Sequence, residues 1–275
     1  MKSKYLKLVI CIIVVLIAFF YYQNNSIVIT GFVYTSTKVK SDLDGYKIVQ
    51  ISDLHNKKFE KDNKVLIKKI RKSKPNIIVL TGDLIDSSHT DIETALNFVK
   101  KAKEIAPTYF VTGNHECALS QNKYNQLLKG LQRCGAILMD GKAIKLFKNS
   151  YLVGIGDDSL KEIRSKLPNA SMKILLAHEP QLLADYAKAK TDIVLCGHAH
   201  GGQIRIPFCN IGLIAPDQGL FPKYTSGKYE KGETTMYVSR GLGNSILPLR
   251  IFNQPEIIEI VLKKKQKKDG IKIYG

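Results

Sequence analysis

Residues 47–55 read KIVQISDLH, a short apolar run that ends in a polar cluster with an aspartate and a histidine. The β-branched residues and the polar flanks predict a buried strand over residues 47–51. A second apolar run, at residues 77–80, is followed in the same way by Gly82 and Asp83. A strand followed at once by metal-binding residue types is therefore a repeated feature of this chain.

The same arrangement continues towards the carboxyl end. Further strand-like runs lie at residues 109–111, 174–176 and 193–196, and helical patterns lie at residues 62–73, 91–106, 121–134 and 181–190. Alternating strands and helices predict an α/β fold with a mainly parallel sheet covered by helices. Ligands of such sheets collect outside the carboxyl ends of the strands, so we expect sequence-distant polar residues to meet there.

The polar residues that follow these strands are of the types that bind divalent metals. They are Asp53, His55, Asp83, Asn114, His115, His178, His198 and His200. Carboxylate and imidazole groups suit manganese, iron and zinc alike, and one carboxylate can lend an oxygen to each of two ions. We therefore predict two sites that share Asp83. The first has Asp53, His55 and His200 as its other ligands, and the second has Asn114, His178 and His198.

The predicted reaction is attack of a hydroxide on phosphorus. Two cations that share a water lower its pKa enough to supply hydroxide near neutral pH, and they also hold the oxygens of a phosphoryl group. His115 is adjacent to a predicted ligand but is not itself needed as one. It is a candidate to protonate the leaving oxygen or to stabilise charge on it, so Asp83 and His115 are the predicted catalytic residues.

Four short motifs make the chain resemble a known family. They are DLH at 53–55, GD at 82–83, GNHE at 113–116 and GHAH at 197–200, and His178 stands alone between the last two. In this order they resemble the calcineurin-like metallophosphoesterases. The resemblance implies a four-layer α/β/β/α sandwich with two metal ions. Residues 201–207 and 236–243 extend it, to about Leu262, towards the membrane-associated YkuE-type subgroup.

Each residue also has a plainer interpretation. Asp53 or Asp83 alone could end a strand or cap a helix, and His178 could be a hydrogen-bonded interior histidine. His89 lies in a polar stretch that is typical of a loop before a helix. Arg205, Arg240 and Arg250 are candidates to bind phosphate oxygens, with surface charge as the alternative. Residues 216–232, rich in glycine and proline, are predicted to form a long surface loop near the site.

The amino-terminal region has the composition of a membrane segment. From Leu8 to Tyr22, fifteen uninterrupted residues are apolar or aromatic. We predict an uncleaved anchor at residues 1–24, because no small-x-small cleavage site follows the apolar run. A cleaved signal peptide is the alternative. Basic residues ahead of the segment favour a cytoplasmic amino end, which would place the remaining domain outside the cytoplasm.

The rest of the chain reads as one domain. We predict a lead-in segment at 25–45, a catalytic domain at 46–262 and a basic tail at 263–275 that holds six lysines of a chain with net charge +18. Such charge favours anionic partners. No nucleic-acid-reading motif is recognisable, so nucleic acid is not the expected partner, and a monomer is the default expectation. The five cysteines do not form a secreted disulfide pattern.

The predicted function is a membrane-anchored, metal-dependent phosphoesterase. It would hydrolyse a phosphate ester or pyrophosphate on a membrane- or wall-associated substrate. The resemblance includes relatives that act on nucleotide-linked glycolipids such as UDP-diacylglucosamine. Two alternatives remain open from the sequence: an anchored, non-catalytic module that binds polyanions, and a nuclease that uses the same site.

Overall fold

Two six-stranded sheets pack face to face in the computed structural model, which describes residues 2–156, 167–209, 211–244 and 249–266. Helices cover the outer face of each sheet, so the protein is the four-layer α/β/β/α sandwich that was predicted. In the described residues the helices are α1 (Lys2–Asn25), α2 (Lys64–Ser73), α3 (Ile92–Lys103), α4 (Asn114–Cys117), α5 (Gln121–Arg133) and α6 (Leu183–Lys188).

The strands of the described residues follow here in chain order. They are β1 (Val28–Ser36), β2 (Lys47–Ile51), β3 (Ile77–Thr81), β4 (Thr108–Val111), β5 (Ala136–Leu138), β6 (Lys142–Phe147), β7 (Ser150–Gly154), β8 (Met172–Leu176), β9 (Ile193–Cys196), β10 (Arg205–Ile206), β11 (Ile211–Gly212), β12 (Ile214–Ala215), β13 (Gly219–Leu220), β14 (Gly227–Lys231), β15 (Thr234–Val238) and β16 (Glu256–Lys264).

Both large sheets are mainly parallel. The first has the order β1-β16-β2-β3-β4-β5, and only the β16–β2 pair in it is antiparallel. The second has the order β14-β15-β9-β8-β7-β6, with antiparallel pairs at its two edges. Both faces of the central strands are buried, and this explains why those strands are almost continuously apolar in sequence.

The strands that the apolar runs predicted are all present, while the interior strands β7 and β15 and several edge strands were not predicted. The second sheet gains β6 and β14, whose sequences KAIKLF and GKYEK alternate too weakly to predict strands. Strand β14 lies within residues 216–232, so only part of that segment is the predicted loop. Strand β1 lies within the predicted lead-in and pairs with β16 along its whole length.

The first residues of the predicted basic tail belong to a strand. Lys263 and Lys264 are the last residues of β16 and continue its pairing with β1, whereas residues 267–275 of the tail lie outside the described part of the chain. All five cysteines lie within the described residues: Cys196 is buried, Cys117 and Cys134 are half-buried, and Cys11 and Cys209 are exposed.

Three apolar layers hold the sandwich together. Phe98 and Leu131 lie in the first, between the helices α2, α3 and α5 and the first sheet. Leu195 and Ile260 lie in the layer between the two sheets, and Tyr186 lies in the layer between the second sheet and α6. Burial of these faces is what aligns the carboxyl ends of strands from both sheets at one end of the sandwich.

Helix α1 stands apart from these layers. Its segment Lys4–Asn25 is long and apolar enough to cross a bilayer, and the protein does not bury it. Only the end of the helix is tied to the domain. Asn24 Oδ1 accepts a hydrogen bond from the backbone N–H of Arg250 at 3.1 Å, and the rings of Phe19 and Phe252 lie 5.5 Å apart. The apolar helix is thus fixed to the domain at its carboxyl end.

The layer between the sheets provides a test of the architecture. Leu195 is completely buried there, so Leu195→Ala should leave a cavity and lower the free energy of unfolding by about 2–5 kcal/mol. Denaturant unfolding of the purified protein measures the loss. The matched control is Ile137→Ala, because Ile137 is 37% exposed on edge strand β5. Equal stabilities for the two variants would contradict the assigned packing.

Candidate metal centre

The seven predicted metal ligands converge at one end of the sandwich. Strands β2, β3 and β4 of the first sheet lead into Asp53, His55, Asp83 and Asn114, and strands β8 and β9 of the second lead into His178, His198 and His200. Asn114 is half-buried and the other six are buried. Because the carboxyl ends of both sheets meet here, residues almost 150 positions apart become neighbours.

One group of ligand atoms belongs to Asp53, His55, Asp83 and His200. One donor atom of each lies within 4.8 Å of the others. His55 Nε2 is 3.6 Å from Asp83 Oδ2, and His200 Nε2 is 3.6 Å from Asp53 Oδ1. Two carboxylates and two imidazoles at this spacing are a suitable set for a divalent transition metal.

A second group contains Asp83, His178 and His198, again within 4.8 Å. His178 Nε2 lies 3.1 Å from Asp83 Oδ2 and 3.2 Å from His198 Nδ1. The side-chain oxygen of Asn114 joins them, at 3.1 Å from His178 Nε2 and 2.9 Å from His198 Nδ1. The membership of the two groups is the one predicted from the sequence.

Asp83 belongs to both groups through a single atom. Its Oδ2 faces His55 of the first group and His178 of the second. Its other oxygen, Oδ1, accepts a hydrogen bond from the backbone N–H of His115 at 2.9 Å. One oxygen is thus held by the backbone while the other lies between the two groups, which is the placement that a bridging ligand needs.

Unused donor atoms indicate that the groups fit metal ions. Within the part of the chain that the structure describes, four buried atoms of the first group have no hydrogen-bond partner: Asp53 Oδ2, both ring nitrogens of His55, and His200 Nδ1. Buried polar atoms are normally satisfied, and leaving them unpaired is costly. A cation at this place would provide a partner for Asp53 Oδ2 and for one ring nitrogen of each histidine, since the other nitrogen of a neutral imidazole carries a proton.

The electrostatics of the site favour the protonation states that bind metals. Burial lowers the pKa of His55 and of His198 to about 4, and it also lowers the pKa of His200. Metal ligation requires neutral imidazoles, so these three rings are in the form that binds a metal at neutral pH. Burial acts in the same direction on His178, but the charge and hydrogen bond of Asp83 raise its pKa to about 10.

The two aspartates differ in their surroundings. Burial would raise the pKa of Asp83, but the charges of His178 and His55 and a hydrogen bond from His178 hold it well below its usual range. Burial raises the pKa of Asp53 to about 6, and the charge of Asp83 also raises it, against an opposing effect of His178. Asp83 is therefore the more firmly ionised of the two carboxyl groups.

The backbone of the site is strained. Five of the ligand residues have φ angles between 44° and 66°, in the left-handed region: Asp53, His55, Asp83, His198 and His200. Non-glycine residues rarely adopt this region, and a residue held there costs about 1–3 kcal/mol. Such outliers persist where the surrounding structure enforces them, and they cluster at functional sites.

Gly113 allows the loops after β3 and β4 to approach each other closely. A Cβ atom at this position would lie 2.8 Å from His178 Nε2 and would collide with Asp83 Oδ1. Any side chain would thus push the two central ligands apart. The glycine of the GNHE motif is there because no other residue fits.

Glu116, the last residue of that motif, holds the loop that carries Asp83. Its fully buried carboxylate accepts hydrogen bonds from four backbone N–H groups: Asp83 at 2.8 Å, Leu84 at 2.8 Å, Ile85 at 3.2 Å and Gly113 at 2.8 Å. Burial and the charge of Asp83 raise the pKa of Glu116 to about 8, and these backbone hydrogen bonds oppose the rise. The motif predicted the residue but not this role.

His115 lies at the edge of the first group. Its ring is 4.5 Å from the ring of His55, and its Nδ1 accepts a hydrogen bond from the backbone N–H of Ser87 at 3.1 Å. Because Nδ1 is an acceptor, the proton of the neutral ring is on Nε2. Ser87 thereby fixes the tautomer, a role that the polar stretch at residues 86–91 did not suggest.

Asp217 is a second residue that the sequence did not identify. Its Oδ2 lies 2.7 Å from His198 Nε2, on the side of the ring opposite Asn114. A carboxylate behind a ligating histidine orients the ring and increases its basicity. The only signal in the sequence was its place in the glycine- and proline-rich segment after the GHAH motif. His89 lies in an exposed loop before α3, as expected.

The three arginines proposed for phosphate binding all bind groups of the protein itself. Arg250 is buried, and its guanidinium donates to the Gly243 and Asn253 carbonyls and to the Asn244 side chain. Arg205 is also buried and donates to the Gly201 carbonyl at 2.9 Å. Arg240 pairs with Glu256 at 3.0 Å. All three hold backbone or carboxylate groups of the protein itself.

Comparison with known proteins extends these findings. The model of the calcineurin-like phosphoesterase family matches residues 46–202. The chain is 33% identical to the uncharacterized metallophosphoesterase YkuE of Bacillus subtilis over 83% of this chain and 82% of that protein. It is 30% identical to the phosphodiesterase YaeI of Escherichia coli, over 81% of this chain and 84% of YaeI.

Two more distant matches are described as a transmembrane protein and as a phosphatase. A transmembrane protein with metallophosphoesterase domain from Danio rerio is 27% identical over 82% of this chain, which covers 55% of that protein. Among solved structures, a dimetal phosphatase from Danio rerio has 10% identity and a TM-score of 0.46, with coverage of 72% of this chain and 88% of that chain.

The Glu116 carboxylate provides a test of how the site is held. Glu116→Gln would turn an amide NH2 towards backbone N–H donors, so the free energy of unfolding should fall by about 1–3 kcal/mol and metal content should fall with it. Elemental analysis and thermal unfolding measure the two effects. Glu104→Gln, on the exposed carboxyl end of α3, is the matched control and should change neither. Full metal content in Glu116→Gln would contradict the role.

Proposed function

The chain belongs to the calcineurin-like phosphoesterase family and is a phosphoester hydrolase, and we propose that it cleaves a phosphate ester or pyrophosphate bond of a membrane- or wall-associated substrate. The observation that carries the proposal is the placement of Asp83 Oδ2 between the two ligand groups. A mononuclear or purely structural metal site has no need of a shared carboxylate oxygen.

The two groups would hold two divalent ions, with manganese, iron and zinc as candidates. Asp53, His55 and His200 would bind one ion, Asn114, His178 and His198 the other, and Asp83 both. Bound there, the ions would supply Lewis-acid activation of water and of the phosphoryl group. The protein contributes neutral imidazoles at His55, His198 and His200, an ionised Asp83 and a backbone that holds them in place before any substrate arrives.

His115 would assist departure of the leaving oxygen. The hydrogen bond from Ser87 to Nδ1 leaves the proton on Nε2. The ring is half-buried and lies beside the first ligand group, so it can contact a substrate that the group binds. From Nε2 it would donate a hydrogen bond to the leaving oxygen and stabilise the charge that develops there.

Three features support a substrate at the membrane. The apolar helix α1 is long enough to span a bilayer, and the end of this helix is fixed to the domain. The net charge of +18 favours an anionic surface. A relative in Danio rerio is described as a transmembrane protein. With Lys4 and Lys7 on the cytoplasmic side, the catalytic domain would face outwards, where UDP-diacylglucosamine-like glycolipids or wall polymers are candidate substrates.

Replacement of the shared carboxylate tests the proposed function. Asp83→Asn should reduce hydrolysis of an aryl phosphate by more than the roughly 10–100-fold that loss of an outer-shell partner costs, because it removes a ligand of both ions. Steady-state rates with added manganese measure the effect. Asp185→Asn, at a surface carboxylate on α6 with 57% side-chain exposure, is the matched control.

Two results would contradict the proposal. Equal, negligible rates for wild type and Asp83→Asn would favour a non-catalytic module that binds polyanions. A stoichiometry near one metal per chain in elemental analysis would exclude the shared site. DNA and RNA are tested beside bis-aryl phosphates, since turnover confined to nucleic acid would identify a nuclease instead.

Removal of the His115 ring separates catalysis from metal binding. His115→Gln should keep the metal content of the wild type and lower kcat by about 10²–10⁴-fold for substrates with poor leaving groups. The loss should be smaller for an aryl phosphate, because its leaving oxygen needs less stabilisation. Full kcat towards an alkyl phosphate in this variant would exclude His115 from this role.

A further inference from the structure

Exposed apolar side chains are concentrated in one region of the domain. Outside α1, ten large hydrophobic residues of the described chain are exposed, and seven of them lie between residues 206 and 221 or at 252. We refer to these seven as the apolar rim: Ile206, Phe208, Ile211, Ile214, Leu220, Phe221 and Phe252. Phe208 is fully exposed, and Leu220 is 72% exposed. Soluble surfaces rarely group large apolar side chains in this way.

The rim is built on the loop that carries a metal ligand. The turn His200–Gly202 leads directly into β10, which pairs with β11, and β12 pairs with β13 in a second short hairpin. The backbone N–H of Leu213 donates to the Gly202 carbonyl at 3.1 Å, which ties the hairpins to the turn. Asp217, in the second hairpin, contacts His198. The rim and the metal centre are therefore parts of one connected structure.

The rim also continues to the end of the apolar helix. Phe252 contacts Phe19 of α1, with 5.5 Å between ring centroids. A cavity of about 680 Å³ lies between the helix end and the first hairpin. Residues that line it include Gln23 of α1, Phe208 and Phe252 of the rim, and the basic residues Arg205, Lys228 and Arg240. Apolar and cationic groups thus adjoin the point where α1 leaves the domain.

We propose that the apolar rim is a second membrane contact, which inserts into the same bilayer as α1 and turns the metal centre towards the lipid headgroups. This proposal rests on the proposed function, because it takes α1 as a membrane anchor. It adds to that function the chemical class of the substrate. Aromatic and aliphatic side chains next to cationic groups match the boundary between acyl chains and anionic headgroups. The substrate would be an amphiphile whose phosphate lies at headgroup depth.

The bilayer is a better occupant of the rim than a second protein because the rim is continuous with α1. A helix that crosses the bilayer brings its own end to the interface, and Phe252 and the cavity are attached to that end. Three cationic groups, Arg205, Lys228 and Arg240, line the cavity together with one acid, Glu256. Arg240 pairs with Glu256, and Lys228 pairs with Glu230 outside the lining. Cationic groups therefore outnumber acids in the lining, and negatively charged headgroups would complement this excess.

The chain has no tryptophan, so a single introduced tryptophan reports its own surroundings. Phe208→Trp and Phe221→Trp place the probe in the rim. Ile137→Trp is the matched control on β5, at the opposite edge of the first sheet from β1, and Tyr21→Trp marks the anchor. Each full-length variant is reconstituted into vesicles of phosphatidylcholine and phosphatidylglycerol, with and without brominated acyl chains. Thermal unfolding confirms that each variant is folded.

The expected result is quenching by brominated lipid and a blue shift for the probes at positions 208, 221 and 21, with neither effect at position 137. The rim proposal is overturned if positions 208 and 221 respond to aqueous iodide as position 137 does. Protection from iodide without quenching by brominated lipid would also overturn it, since that result indicates a protein partner. Loss of quenching at position 21 would overturn the anchor and the rim together.

The tryptophan quenching measurement does not depend on hydrolysis of a phosphoester. If the protein hydrolysed no phosphoester while positions 208 and 221 were quenched, the proposed function would fail and the membrane contact would stand. If hydrolysis of an aryl phosphate were normal and only the two rim probes stayed in water, the rim alone would fail. The two proposals therefore have separate negative outcomes.

Discussion

The carboxylate of Asp83 can face two groups of ligands only because the backbone that carries it is held in place by Glu116. Asp83 has a left-handed φ angle, and its Oδ2 faces His55 after β2 and His178 after β8. Four N–H groups of the two loops that meet at Gly113 point to the Glu116 carboxyl group. A buried carboxyl group that accepts from the backbone thus fixes the position of a second carboxyl group, which is ionised and available for cations.

This arrangement depends on two sheets rather than one. Ligands after β2, β3 and β4 come from the first sheet, and those after β8 and β9 come from the second. Gln50 joins the sheets below the site, where its Nε2 donates to the Cys196 carbonyl at 2.9 Å. The strained backbone of the ligand loops is maintained by the apolar layer between the sheets, because relaxing one loop would disturb the packing on both sides.

The same loops connect the metal centre to the apolar helix. Asn24 accepts from the backbone of Arg250, and the Arg250 guanidinium donates to the Gly243 carbonyl. Lys57, two residues after His55, donates to the Asn24 carbonyl at 2.9 Å. Burial lowers the pKa of Arg250 to about 10, so its charge persists at neutral pH. A guanidinium assigned to phosphate from the sequence instead couples the end of the helix to the ligand loops.

The amino-acid sequence alone predicts the α/β class, strands β2, β3, β4, β8 and β9, the apolar helix and the seven polar residues that meet at the site, because each of these has a local signature. A buried parallel strand is continuously apolar, and the polar residues of such a site follow it directly. Strands β6, β7, β14 and β15, the roles of Glu116, Ser87 and Asp217, and the burial of Arg250 become visible only in the folded protein. Their partners lie far away in the chain, and an edge strand, a buried carboxyl group or a paired arginine has no local pattern that distinguishes it from a polar residue of a surface loop.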